Sequence, residues 1–197
     1  MFQIRWEDRN VGANGSRAKV SVDGTDCPIE EPRPAFNPKW HSHKLNAAGL
    51  RYEIGMCIQT GLMVWINGPY PPGSWPDLRI FRHRMVDALD NGEWIVADEG
   101  YKEGQQFVLN KKWARFPVWW KRMASRVLSK HENINSQFKK WRILCMPFRH
   151  LREMHEGVFK GIGNVVQIQL TLSRGWQEYG VVYADHALFN QQGELVV

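Results

Sequence analysis

Long apolar runs are missing from this chain. No segment approaches the ~18–20 consecutive apolar residues that cross a bilayer, so no membrane partner is expected. The opening residues, MFQIRWEDRN, carry acids and no apolar stretch, which does not fit a signal peptide. Cysteine is scarce. Cys27, Cys57 and Cys145 are odd in number and far apart. They form neither a disulfide framework nor a zinc spacing, and a reducing compartment is expected. Internal repeats and low-complexity tracts are absent. Acids are nearly absent from one long stretch: Lys102 to Arg152 holds 13 Lys/Arg but only Glu103 and Glu132, a net of +11.

That scarcity organises the rest. The whole chain of 197 residues carries +6, so the remainder sums to −5. A mildly acidic body with one strongly basic stretch is the electrostatic footprint of a polyanion binder. The length suits one sizeable core. An apolar share of 43% and a charged share of 23% are those of a folded protein rather than a disordered one. Of the ten tryptophans, Trp113, Trp119, Trp120 and Trp141 lie in the basic stretch. They suit base stacking or, more commonly, core packing.

Residues 1–18 read as an N-terminal arm. Val20 and Val22 alternate in a short strand that Asp23-Gly24 should stop. Four prolines between residues 26 and 40 read as an extended loop. Tyr52, Ile54, Met56 and Ile58 share one face of the next strand, and Thr60-Gly61 turns it into a returning strand at 62–66. A Pro/Gly-rich loop follows, with Ser74 or Asp77 placed to cap a helix bearing Leu78, Phe81, Met85 and Leu89. Residues 93–98 form a short strand ending in Asp98. A loop then leads to a helix from Val118 to about Trp141, striped by Trp120, Met123, Val127, Ile134 and Phe138. Phe148 to Ile162 suggests a further helix, running into the apolar segment 165–172. The order predicts three antiparallel strands, a helical crossover, and a fourth strand parallel to the first. Asp23 and Asp98 then end neighbouring strands at one sheet edge, where open α/β sheets place their sites.

Four segments carry a resemblance. VDGTDCPI (22–29), GPYPPGSWPDLRIFR (68–82), ADEGY (97–101) and HENINSQFKKWRIL (131–144) resemble, in order, the nuclease domain of Harbinger-type DDE transposases. The likeness covers roughly residues 17–170. It implies an α/β, RNase H-like fold: a mixed sheet of three antiparallel strands plus parallel strands, flanked by helices. The expected organisation is an arm at 1–18, the nuclease domain at 19–172 and a C-terminal tail at 173–197 packing on or extending it. Such relatives usually carry a helix-turn-helix-like region upstream of the first acid. This sequence has 22 residues there, so it is expected to hold the catalytic domain without that region.

The resemblance also implies a chemistry. DDE nucleases cut DNA with two divalent ions, Mg²⁺ or Mn²⁺, roughly 4 Å apart. Hard cations of this kind take carboxylate oxygens and keep waters. Asp23, Asp98 and Glu132 are the expected catalytic acids and metal ligands, with Asp23 shared between the ions. Asp77 is the rival acid, read first as a helix cap or supporting residue, and Asp26 is read as a loop residue. Asn135 lies one turn from Glu132 and is expected to orient a metal-bound water or a phosphate. Lys139, Lys140, Arg142, Arg126, Lys130, His43 and Lys44 are the candidate nucleic-acid contacts. DNA is the implied partner, joined in such systems by a Myb-like DNA-binding accessory protein and by further copies of the chain. The implied location is the nucleus. The alternative is a domesticated, catalytically silent module that binds DNA or protein.

Overall fold

The computed structural model describes residues 3–32, 36–101, 107–110, 112, 115–172, 181, 183–192 and 194–196. Its centre is a mixed sheet built on β1 (Ala18–Pro28), β2 (His41–Ser42), β3 (Ala47–Cys57), β4 (Met63–Tyr70), β5 (Trp94–Ala97) and β6 (Val108–Asn110). β3 pairs antiparallel with β1 on one side, and with β2 and β4 on the other. β5 runs parallel to β1, and β6 parallel to β5. The antiparallel trio and the parallel fourth strand stand as the sequence predicts, in an α/β fold consistent with the RNase H-like class.

Strand alternation sorts the side chains into two layers. Tyr52, Ile54 and Met56 of β3, with Ile58 just past its end, Val96 and Leu109, join one cluster. Val20 and Val22 of β1, with Ile95, Ala97 and Val108, join the other. The second layer is covered by the crossover, which runs as α1 (Asp77–Ile80), a widened π-type turn over Phe81–Met85, and α2 (Val86–Ala88). Phe81 and Met85 are its buried contacts.

The first layer is covered by α3 (Val118–Phe138) and α5 (His155–Leu172), with the short α4 (Arg142–Cys145) between them. α3 buries Trp120, Ala124, Val127, His131, Ile134, Asn135 and Phe138, a stripe at helical spacing. Trp120 is fully buried, so packing decides its role. Tyr52, Phe159 and Phe138 stack in sequence, with ring centroids 3.8 and 4.7 Å apart.

Several expectations need correction. β1 does not stop at Asp23-Gly24; it continues to Pro28, paired with β3 residue by residue. Val108–Asn110, inside the expected loop, forms the edge strand β6 beside β5. α3 ends at Phe138 rather than Trp141, because Lys139–Trp141 close in tight turns before α4 begins. The last helix starts at His155, not near Phe148, and takes in the whole apolar segment to Leu172. Phe148 is instead held extended: its N–H donates to Pro28 O at 3.0 Å. The arm is packed on the fold, with Arg9 buried and paired with buried Glu93 at 3.0 Å. Residues 102–106, Trp113 and the tail segment 173–180 lie outside the described residues. Among the described residues, no helix is long and apolar enough to cross a membrane.

Candidate active site

The site forms where β5 ends beside the middle of β1. Val22 pairs with Ala97, so Asp23 and Asp98 follow at the same level of adjacent parallel strands. Val22 faces the crossover layer, which turns Asp23 to the opposite face, toward α3. α3 lies along β1 in the same direction. His131 Nδ1 is 3.1 Å from Ser21 Oγ. One turn on, Asn135 Nδ2 donates to Asp23 Oδ2 at 2.7 Å. Asp23 Oδ1 accepts from the Gly24 N–H, also at 2.7 Å. Asn135, expected to orient a water or phosphate, thus grips the first acid itself.

Asp98 closes a tight turn of its own. Its Oδ1 accepts from Gly100 N–H at 2.9 Å, and its carbonyl accepts from Asn110 Nδ2 of β6 at 2.7 Å. The unforeseen strand β6 therefore helps to hold the second acid. Glu132 is exposed on α3, between the His131 and Asn135 contacts. Among the described residues nothing pairs with its carboxylate. The structure brings Asp23 and Asp98 together and leaves Glu132 exposed on α3, one turn before the Asn135 that grips Asp23.

Asp77 arrives from the other face of the sheet. It does not cap its helix: the N-cap is Pro76, with no side-chain cap bond. Its carboxylate is turned instead into a slot between two glycines. A Cβ on Gly24 would stand 2.1 Å from Asp77 Oδ1, and one on Gly100 would stand 3.2 Å from both Asp77 Oδ2 and Asp98 Oδ1. Arg51 Nη1 reaches Asp77 Oδ1 at 3.4 Å, and Lys44 Nζ reaches Asp77 Oδ2 at 3.6 Å. Lys44, foreseen as a nucleic-acid contact, therefore lies against the carboxylate cluster. Its neighbour His43 packs edge-on against His41, with centroids 5.3 Å apart.

Asp26 is a strand residue, not a loop residue. Its two oxygens take Arg51 Nε at 2.7 Å and Nη2 at 2.8 Å, and Ser42 Oγ donates to it at 2.5 Å. Arg51 is thus a bridge between Asp26 and Asp77. Sequence reading missed it; Arg51 stands opposite Asp26 only through the strand register.

Electrostatics mark the cluster. Burial, above all, pushes the Asp23 carboxyl up from its usual 3.8 to about 6; the charges of Asp98 and Asp77 add to this, and Lys44 and the Gly24 N–H oppose it. A desolvated Asp23 carboxylate beside an exposed Asp98 suits a hard cation that retains waters and shares substrate oxygens. Among the described residues no three His, Cys, Asp or Glu are grouped so that they could hold a metal ion together. Mg²⁺ does not require such a group: it is bound by one or two carboxylates, with waters and phosphate completing the shell. The donor set at Asp23 and Asp98 fits.

Behind the cluster, on the crossover side, lie two buried groups the sequence did not single out. The Tyr101 hydroxyl is buried and has no hydrogen-bond partner among the described residues. Glu53 is 1% exposed and accepts from Trp65 Nε1 at 2.9 Å. Burial raises its pKa from the usual 4.5 to about 8. The folded protein thus keeps a proton that the unfolded chain has lost, and stability falls as pH rises between those values. Glu53→Gln removes the need for that proton. It is expected to raise the melting temperature at pH 8, by an amount equivalent to about 4 kcal/mol at most, with the gap closing below about pH 4.5 in thermal melts. A variant less stable than wild type at pH 8 would contradict this reading.

The cationic candidates follow α3 beyond Asn135. Lys139, Lys140 and Arg142 are exposed just past its C-terminus, and Arg149 and His150 continue the surface. Arg126 is exposed and Lys130 half-buried on the same helix, on the N-terminal side of Glu132.

Comparison with curated proteins and with solved structures returns no match. Among family models, one described as DDE superfamily endonuclease matches residues 22–173, from the residue before Asp23 to just past the end of α5. That match spans well over half of the sequence, and the chain belongs to the DDE superfamily endonuclease family.

Proposed function

We propose that this chain is the catalytic domain of a transposase-type DNA endonuclease that cleaves phosphodiester bonds by a two-metal mechanism. The observation that carries the reading is the placement of Asp23 and Asp98 at one level of parallel strands, with Asn135 of α3 gripping Asp23. Asp23 would hold both ions, Asp98 one, and Glu132 the other. Bound there, Mg²⁺ or Mn²⁺ supplies activation of the attacking oxygen and charge stabilisation at the leaving oxygen.

The chain's own residues do the rest. Asn135 and the Gly24 N–H fix the rotamer of Asp23, so its oxygens are oriented before substrate arrives. Gly100 does the same for Asp98. Asp77 enters from the far face and stands against the fixed guanidinium of Arg51, which favours a supporting role over direct ligation. Lys139, Lys140 and Arg142 offer exposed cations to the DNA backbone, contacts that position a duplex without reading its sequence. A Myb-like partner, self-association and a nuclear location belong to the same proposal, on the strength of the resemblance.

The test is nicking of supercoiled DNA with Mg²⁺ or Mn²⁺, comparing Asp98→Asn with Asp77→Asn in the full chain. Cleavage should require metal and disappear in Asp98→Asn. Cleavage that survives in Asp98→Asn and is lost in Asp77→Asn would replace Asp98 by Asp77 in the triad. Salt-sensitive DNA binding with no cleavage under either metal would leave the silent binding module.

A further inference from the structure

Two cations enter the carboxylate cluster, and they are held very differently. Arg51 is fixed: its guanidinium grips Asp26 through two bonds of 2.7 and 2.8 Å, it leans on Trp75 O at 3.4 Å, and its side chain is 9% exposed. Lys44 is held lightly. Its ammonium donates to Gly24 O at 2.9 Å and stands 3.6 Å from Asp77 Oδ2, and its side chain is 48% exposed.

The backbone beneath Lys44 is nevertheless well placed. It sits in the turn between β2 and β3, where Ser42 Oγ accepts from the Leu45 N–H at 3.1 Å while donating to Asp26. Asn46 completes the turn at φ 52°. A firm base thus carries a flexible stem whose charged end reaches the rim of the site. Of the side-chain charges bearing on Asp23, that of Lys44 is the one that favours the ionised carboxylate.

We propose that Lys44 is a tethered counter-cation: its ammonium occupies the field of Asp23 and Asp77 in the metal-free protein and gives way when a divalent cation enters. The proposal rests on the reading of Asp23 and Asp98 as metal ligands. It adds a competition internal to the chain. An ammonium offers one charge and three donors; a divalent ion offers twice the charge to the same oxygens. Because Lys44 is half exposed, its displacement leaves the ammonium in water rather than buried and unpaired, which keeps the exchange inexpensive. Arg51 cannot make this exchange, since leaving Asp77 would not free it from Asp26.

The test is calorimetric titration of Mn²⁺ alone, without DNA, into the full-length wild type, Lys44→Met, Lys44→Arg and Asp98→Asn proteins at low salt. Removing a competing charge should tighten Mn²⁺ binding by Lys44→Met about three- to ten-fold. The metal-free Lys44→Met protein should melt below wild type, and added Mn²⁺ should close that gap. Lys44→Arg, which keeps the charge, should bind as wild type does. Equal or weaker Mn²⁺ binding by folded Lys44→Met overturns the proposal. If wild type binds and Asp98→Asn does not, that failure leaves the metal reading intact. Wild type that takes up no Mn²⁺ at millimolar concentration overturns the metal reading, and the tethered-cation role with it.

Discussion

Asp23→Asn is expected to lose metal-dependent DNA nicking by on the order of 10³-fold or more, yet to melt above wild type when no metal is present. The loss follows from removing a carboxylate that both ions would share, at several kcal/mol of transition-state stabilisation. The gain follows from the surroundings. Burial and two neighbouring carboxylates lift Asp23 to about 6 from its usual 3.8. As pH rises between those values the wild type loses stability, because the folded state retains a proton the unfolded state gives up. At pH 7 the ionised carboxylate therefore costs about 1–3 kcal/mol, and an amide does not. The hydrogen bonds survive the change. Asn135 Oδ1 is buried and has no partner among the described residues, so a rotated Asn135 amide accepts from the new side chain where it formerly donated. Added Mg²⁺ should stabilise wild type alone and narrow the difference. Thermal melts with and without Mg²⁺, beside a plasmid-nicking assay, check both halves. An Asp23→Asn protein that nicks normally, or that melts several degrees below wild type without metal, would refute the assignment.

Arg51→Met should be the most damaging single change outside the packed core, at about 3–5 kcal/mol. The Asp26 side chain is 1% exposed and that of Arg51 is 9% exposed. Deleting the guanidinium leaves the Asp26 carboxylate buried with only the Ser42 hydroxyl, and strips Asp77 of its firm cation. For a chain of this size the melting temperature should fall by about 10 °C. Adding Asp26→Leu to Arg51→Met should recover a good part of the loss, because an apolar replacement of both partners leaves no charge uncompensated. Denaturant unfolding of the single and double variants measures this. A single variant within about 2 °C of wild type, or a double variant less stable than the single, would show that the pair is not what holds this corner.

The sheet was legible because its patterns are local. Tyr52, Ile54, Met56 and Ile58 alternate without interruption, and all four are fully buried on one face. Asp23 and Asp98 were legible because each follows a short apolar run and stands at one level once β1 and β5 pair. The ends of α3 and α5 were not. Nothing like a proline separates Phe138 from Trp141, and Phe148, although apolar, is spent on an extended pairing with Pro28. β6 is only three residues long and lies inside the basic stretch, which left no period to read. The Asp26–Arg51 pair depends on a cross-strand register, and Asp77 on a meeting of three segments. Neither has a signature at any fixed spacing. Asn135 and His131 sit on the stripe of α3 as buried polar residues, and the need to satisfy them against Ser21 and Asp23 is what fixes the helix lengthwise on β1.

Gly24 looks in the sequence like the second half of an Asp-Gly turn, yet the strand passes straight through it. Its want of a side chain serves Asp77, whose carboxylate lies where a methyl group would have to go, and Gly100 walls the same slot from the other strand. Three segments that look independent along the chain are therefore one mould and one casting. A side chain gained at 24 evicts the carboxylate from 77, and a longer or shifted crossover leaves two glycines framing a void. Drift in any one of the three is policed by the other two, so the unit can be transplanted or lost only whole.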